Sequence, residues 1–335
     1  MVATRLALVR RRARQLLHRG GAHFSVTRVG FPHLVFRRPG RASGWVCAGQ
    51  AGLPVDPFVF TAVLAAAACH AGWNALLKLN AAPLVATVLV AVAAGVLVLP
   101  LLPLTRLPAP AAWPYIVASA LIHIAYFVTL AEAYRWGDLT QVYPIARGTA
   151  PLLTALLASV WLNEALGPLG WAGVIVLAAG ILLLTFKGGR ELSGFAGRAI
   201  GFALATSLTI TAYTLIDGIG ARLAGSALAY TVWLFLANAI VMAIYGWLRV
   251  GRSLLGDSRR HWRIAMAGAA LSTAAYAIAI WAMTVAPIAL VAALRETSVL
   301  FAALFGATLL REPMLPLRLL AAALVLAGAL LLRFR

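Results

Sequence analysis

Long apolar runs, each about the length needed to cross a bilayer, alternate with short polar breaks along most of this chain. A spanning helix needs roughly 20 mostly apolar residues, because an unpaired backbone polar group in hydrocarbon costs several kcal/mol and a helix satisfies its own groups. Ten such stretches can be read, near 57–77, 83–104, 113–134, 139–162, 168–186, 199–216, 225–248, 264–286, 288–310 and 313–332. The longest connection between them, Arg249 to Arg263, leaves no room for a water-soluble domain. The pattern predicts an all-α membrane protein with ten transmembrane helices.

Composition narrows the function. Of 335 residues, 63% are apolar and 11% charged, with a mean hydropathy of +0.93, whereas an ordinary soluble domain carries about 25% charged residues. A soluble enzyme is excluded. The 9 acidic residues leave little material for carboxylate-rich metal sites or a glycosidase pair. Cys47 and Cys69 offer neither a disulfide framework nor zinc spacing, so no metal and no cofactor are expected. The net charge of +19 would suggest nucleic acid as a partner. The basic residues, however, lie between apolar runs with no stacking-aromatic groove pattern, so the expected partner is the lipid bilayer and nucleic acid is not.

Residues 1–54 differ in kind: ten arginines, no lysine and no acid, with no run long enough to span. They read as a basic, disordered extension or as a targeting segment; a third reading starts the native protein at Val55, directly before the first span. Orientation should follow the Lys/Arg bias of short loops. On the terminus side lie Arg106, Arg222, Arg333 and Arg335, 4 residues against 12 on the other side, and only the ten tail arginines reverse the count to 14 against 12. Orientation therefore hangs on the tail.

The strongest signal is internal. Sliding the chain by 148 residues aligns Arg147 with Arg295, Thr149 with Thr297, Glu164 with Glu312, Pro168 with Pro316 and Ala179-Gly180 with Ala327-Gly328. Residues 147–187 and 295–335 share 15 identities in 41 positions. Leu and Ala matches mean little in membrane sequences; the Arg, Glu, Pro and Gly matches carry the argument. Two halves of five helices follow, over 55–190 and 191–335. Because five is odd, the second half must enter the membrane upside down, giving two inverted five-helix repeats, an arrangement recurrent in secondary transporters.

Several segments then resemble the drug/metabolite transporter superfamily, specifically its EamA-type permeases. They are His70-Ala-Gly-Trp-Asn-Ala-Leu-Leu-Lys78, Tyr143-Pro-Ile-Ala-Arg-Gly-Thr-Ala-Pro151 and Ala293-Leu-Arg-Glu-Thr-Ser298, with a Glu at the turn into each half's final helix. The resemblance covers 55–335. It implies a ten-helix basket in the cell membrane with a central substrate cavity and cytoplasmic termini, at odds with the loop-charge count for the tail-less chain.

The intramembrane polar residues are the candidate site. Arg147 and Arg295 each lie about eight residues into their spans, so at about 1.5 Å per residue both approach the midplane from opposite sides. An arginine at that depth must have partners and commonly marks a pathway. Two readings stay open: bidentate binding of an anionic solute group, or a structural clamp in which Arg295 pairs with Glu296 and Arg147 with carbonyls freed by Pro151. Pro144, Gly148 and Pro151 predict a broken fourth span, and Tyr143, Arg147 and Thr154 would form one polar stripe along it. Trp73 and Asn74 join the substrate-binding candidates beside His70, although packing alone accounts for both.

His70, Glu132 and Glu296 are the candidates for proton coupling, with His123 a further mid-span histidine. The plain alternatives are interhelical hydrogen bonds for the histidines and neutralisation of Arg295 by Glu296. Lys78 and Asp217 end the first helices of their halves, as a gate or as solvated helix ends. Pro144, Pro151, Glu164 and Glu312 read as structural, the two glutamates because carboxylates favour helix starts.

The function these features imply is secondary transport, by alternating access, of a small metabolite or drug-like solute, anionic or zwitterionic if the arginines meet it, with protons as the candidate coupling ion. An intramembrane enzyme would need a catalytic constellation, yet no His-Glu-x-x-His, Gly-x-Ser-x-Gly or Walker motif occurs. A scaffold without transport would not need two buried arginines at repeat-equivalent positions.

Overall fold

A computed structural model of the chain describes residues 54–77, 83–137, 139–184, 197–309 and 316–335. The basic extension up to residue 53, Lys78 and Glu312 lie outside the described residues. Those described form eleven α-helices and no strand: α1 (Pro57–Leu77), α2 (Pro83–Val98), α3 (Trp113–Trp136), α4 (Leu139–Trp161), α5 (Gly167–Leu183), α6 (Gly197–Leu223), α7 (Ala227–Val250), α8 (Ser253–Val285), α9 (Ile288–Arg295), α10 (Ser298–Leu309) and α11 (Pro316–Arg333). Eight of the helical segments are long and apolar enough to cross a membrane, with α9 and α10 contributing one between them. Helix α5 is shorter but equally apolar, and α4, with its polar residues, falls outside that set.

Two features depart from the sequence reading. Helix α4 is continuous through Pro144 and Pro151, because each proline deletes only one donor and packed neighbours absorb the loss. The break lies instead in the ninth span, at Glu296-Thr297, where no proline stands. There the backbone tightens to i→i−3 bonds, Glu296 N–H to Ala293 O at 3.0 Å and Thr297 N–H to Leu294 O at 3.1 Å. The Thr297 hydroxyl donates to the same Leu294 carbonyl at 2.7 Å, occupying an acceptor that a regular helix would offer to Ser298.

Packing runs largely between the two halves: α1 lies against α8, α3 against α6, α2 against α7 and α5 against α11. The start of α1 meets the end of α11, where Val55 N–H donates to Arg333 O at 3.0 Å. The main apolar core fills the end of the body nearest these termini, with Ile116, Leu166, Tyr230, Leu234, Met283 and the whole of α9 except Arg295 buried. Leu121, Leu156, Ile175, Leu208, Ile240 and Leu326 stay exposed on the outer surface, the composition expected of a face that meets lipid.

Two charged side chains lock the terminus-side end. Asn163 takes the left-handed conformation (φ 52°) that asparagine tolerates, turning the chain back after α4. Glu164 Oε1 then accepts from the Arg222 guanidinium at 2.8 Å, while Oε2 accepts from Ala289 N–H at 3.2 Å. Arg222 also donates to the carbonyls of Met283 and Ala286, at 2.8 and 3.0 Å. The structural reading of Glu164 thus has a geometric basis, but the helix start its carboxylate serves is that of α9, which brings a carboxylate to the positive end of the helix dipole.

Candidate functional site

A cavity of about 870 Å³, its open mouth included, lies among the helices. Its wall takes late residues of α1 (His70, Trp73), early residues of α2 (Thr87, Val90) and late residues of α7 (Asn238, Met242). The cavity therefore occupies the half of the body away from the adjoining termini, and the apolar core closes the other half. Tyr126, Phe127, Tyr213, Phe235 and Tyr276 supply flat apolar surface, and Arg147, Arg295, His70 and His123 supply the polar groups. No carboxylate lines it among the described residues.

The two arginines share this wall but differ chemically. Arg147, only 5% exposed, places its Nε 3.0 Å from Glu296 Oε2 and an NH2 group 3.0 Å from His70 Nε2. Its guanidinium also lies 5.9 Å from the Tyr143 ring centroid. Arg295 has no carboxylate within ion-pair distance among the described residues; its guanidinium covers the Tyr276 ring at 4.9 Å. Glu296 thus pairs with Arg147 rather than with its neighbour Arg295, one of the alternatives the sequence leaves open. The repeat accounts for the asymmetry. The residue that would stand to Arg295 as Glu296 stands to Arg147 is, by the 148-residue offset, Gly148, and a Cβ there would meet Leu182 Cγ at 2.9 Å.

His70 sits between two groups that can only donate, the Arg147 NH2 and the Trp73 indole Nε1–H, the latter 3.2 Å from Nδ1. A neutral imidazole has one acceptor nitrogen and one N–H, so His70 accepts from only one of these two groups and its single ring proton faces the other donor. Asn74 donates to the His70 carbonyl at 2.8 Å and stays off the cavity wall. Thr154 is also off the wall. Its hydroxyl donates to Ala150 O at 2.8 Å and to Thr211 Oγ1 at 3.3 Å, joining α4 to α6. Glu132, taken from the sequence as well inside its span, lies near the end of α3 with its side chain 35% exposed, and pairs with Arg135 at 3.7 Å.

One residue of consequence was misplaced by the sequence reading. Helix α6 continues to Leu223, beyond the expected end at 216, so Asp217 is no helix end but a fully buried residue. It accepts from Tyr230 Oη at 2.9 Å and from Tyr276 Oη. The available signal was the apolar and small sequence Gly218-Ile-Gly-Ala221 that follows it. On α7, Asn238 Oδ1 is buried on the cavity wall without a hydrogen-bond partner among the described residues.

Comparison with known proteins places this geometry. Relatives named spermidine export protein MdtI, from Salmonella paratyphi B and Salmonella newport, are 34% identical over 74 residues, which is 22% of this chain and 66% of theirs. The match thus spans just under two thirds of those relatives' length. A crystal structure of another protein superposes with a TM-score of 0.64 at 20% identity, covering 82% of this chain and 94% of the other, and shares its fold. The sequence description of the EamA-like transporter family matches twice, at residues 57–186 and again at 197–334. The chain, with a membrane-sized apolar body wrapped around a polar cavity, belongs to the EamA-like transporter family.

Proposed function

We propose that the protein is a secondary transporter that carries a small anionic or zwitterionic solute with a flat apolar part through the central cavity by alternating access. The observation that carries this reading is Arg295, a guanidinium on the cavity wall with no carboxylate within ion-pair distance among the described residues. A solute carboxylate, sulfonate or phosphate is the partner its planar fork fits. The unpartnered Asn238 oxygen offers an acceptor for a solute ammonium, and the aromatic wall suits a flat apolar body. The relatives' printed cargo, spermidine, is a polycation. A wall with Arg295 and, among the described residues, no carboxylate has the wrong sign for it, so that substrate is not carried over to this chain.

Two observations support ten crossings in two inverted halves, 55–190 and 191–335. Adjoining ends of the helical body require an even number of crossings, and the packing pairs exchange when the halves are swapped, α1 with α8 against α6 with α3. The test is a thermal-shift series with benzenesulfonate, indole-3-carboxylate, phenylalanine and spermidine. Ligands that bind only the folded state raise its stability. The aromatic anions should stabilise the wild type. Arg295→Leu should fold normally and lose that stabilisation, while Arg295→Lys, which keeps charge without the fork, should retain a fraction of it. Stabilisation by spermidine alone, unaffected by Arg295→Leu, overturns the reading.

A further inference from the structure

We propose that Asp217 is the proton-carrying group of the transport cycle, linked to the cavity through Tyr276. The inference rests on reading the chain as a solute transporter and adds the coupling ion and its site. The three residues first considered for this role have other work. His70 is held between two donor groups and accepts from one of them, Glu132 pairs with Arg135 at the end of α3, and Glu296 pairs with Arg147.

Asp217 is different. It is completely buried, and among the described residues no basic side chain lies within ion-pair distance of it. What faces it is a ring of neutral hydroxyls, from Tyr230 on α7, Tyr276 on α8 and Ser119 on α3. His123 on α3 is the imidazole close enough to act on Asp217 electrostatically, held by Nδ1 against Ser119 O at 2.8 Å and stacked on Tyr213 of α6 at 4.5 Å. Tyr115 stands behind Tyr230. A buried carboxyl satisfied by hydroxyls can persist in either protonation state, because a hydroxyl can both donate and accept; a carboxylate locked to a guanidinium cannot release its charge so readily.

Tyr276 connects this group to the transport pathway. Its ring lines the cavity beneath Arg295, and its hydroxyl reaches Asp217. A proton arriving from cavity water onto Tyr276 Oη lets the original hydroxyl proton pass to Asp217 Oδ2, so one O–H bond forms as another breaks and no charge is lost. An anion held by Arg295 and a proton held by Asp217 favour each other electrostatically across one ring. Linkage makes that preference reciprocal, so solute and proton travel in the same direction.

The decisive measurement is infrared spectroscopy of the full chain in lipid nanodiscs across pH, with no solute present. The wild type should show a protonated carboxylic C=O band that grows as pH falls, is missing in Asp217→Asn and persists in Glu296→Gln. A band unchanged in Asp217→Asn, or no titrating carboxyl band at all, overturns the inference. Should Asp217→Asn fail to fold, Tyr230→Phe decides. Tyr230 is buried away from the cavity wall, and loss of its hydrogen bond should displace the midpoint of that band by about one pH unit, whereas an unmoved midpoint counts against Asp217. In proteoliposomes, a proton gradient should accelerate benzenesulfonate uptake severalfold in the wild type, and the ratio of uptake with and without the gradient should fall to one in Asp217→Asn. Acceleration that survives in Asp217→Asn overturns the proton site and leaves the anion reading standing. An Asp217 band in a wild type that carries no benzenesulfonate supports the proton site and counts against the anion reading.

Discussion

Arg147→Leu is expected to destabilise the folded protein by about 3 to 5 kcal/mol, the range for stripping one partner from a buried ion pair. The cost arises at Glu296, which is 5% exposed and would keep a charge in the membrane interior with no cation left within ion-pair distance among the described residues. His70 would also lose the NH2 group at 3.0 Å from its Nε2. Because Glu296 sits at the break between α9 and α10, its relaxation would disturb the element that carries Arg295 to the cavity. Thermal unfolding in detergent and the monodisperse fraction on gel filtration should both fall sharply. The double variant Arg147→Leu with Glu296→Leu should recover much of the loss, because removing both charges leaves nothing stranded. A single variant with the wild-type midpoint would show that Glu296 does not depend on Arg147. Arg295→Leu should show no comparable loss, since it strands no carboxylate. Those outcomes together would separate the two arginines, aligned by the 148-residue offset, into a clamp and a proposed solute contact.

The sequence made the clamp and the binding readings equally available for both arginines, and the reason it could not divide them is physical. Depth and offset depend on position within a span, which periodicity and repeat matching reveal. The partner of a buried charge depends on which helix crosses at that depth, and Glu296 reaches Arg147 from the other half of the molecule. Adjacency makes a pairing of Glu296 with Arg295 one open alternative, but consecutive helical residues point about 100° apart and do not face each other. Gly148 was the legible clue: the repeat places it opposite the acid, so only one arginine could be neutralised in this way.

The helices themselves were largely legible because roughly 20 apolar residues are a strong and local signal. Their breaks were not. Pro144 and Pro151 marked a weak point that packing around α4 absorbs, whereas the break at Glu296-Thr297 carries no residue-type signal: the hydroxyl bond that Thr297 makes three residues back is also made by Thr129 and Thr209 in unbroken helices. Asp217 was misjudged for a similar reason. A hydropathy window ends a span at the first charged residue, but small residues at Gly218, Gly220 and Ala221 let α6 continue as a buried helix against its neighbours. A buried Asp with Tyr partners on two other helices can only be seen once those helices are placed.

A close approach of main chain to main chain gives the other large expected effect. In α5 and α11 the backbones themselves touch. A Cβ on Gly328 would lie 2.6 Å from Leu177 N and 2.7 Å from Gly173 O, and one on Gly180 would lie 2.9 Å from both Ala321 O and Val325 N. The 148-residue offset carries Gly180 to Gly328 and position 173 to position 321, so the two contacts exchange when the halves are swapped. Hydrophobic burial does not drive helix association in lipid, and close backbone packing takes its place. Gly328→Val would push main chain against main chain, which cannot rotate away as a side chain can. The expected loss is about 3 kcal/mol, at the upper end for overpacking, read as a lowered unfolding midpoint. Gly328→Ala should lose part of it, and Gly201→Ala on α6, where nothing lies within 4 Å of the added carbon, should lose nothing. Gly180→Val should cost about as much as Gly328→Val, because the repeat makes the sites equivalent. Loss at one glycine and tolerance at the other would separate the two contacts and argue against a two-fold relation between the halves.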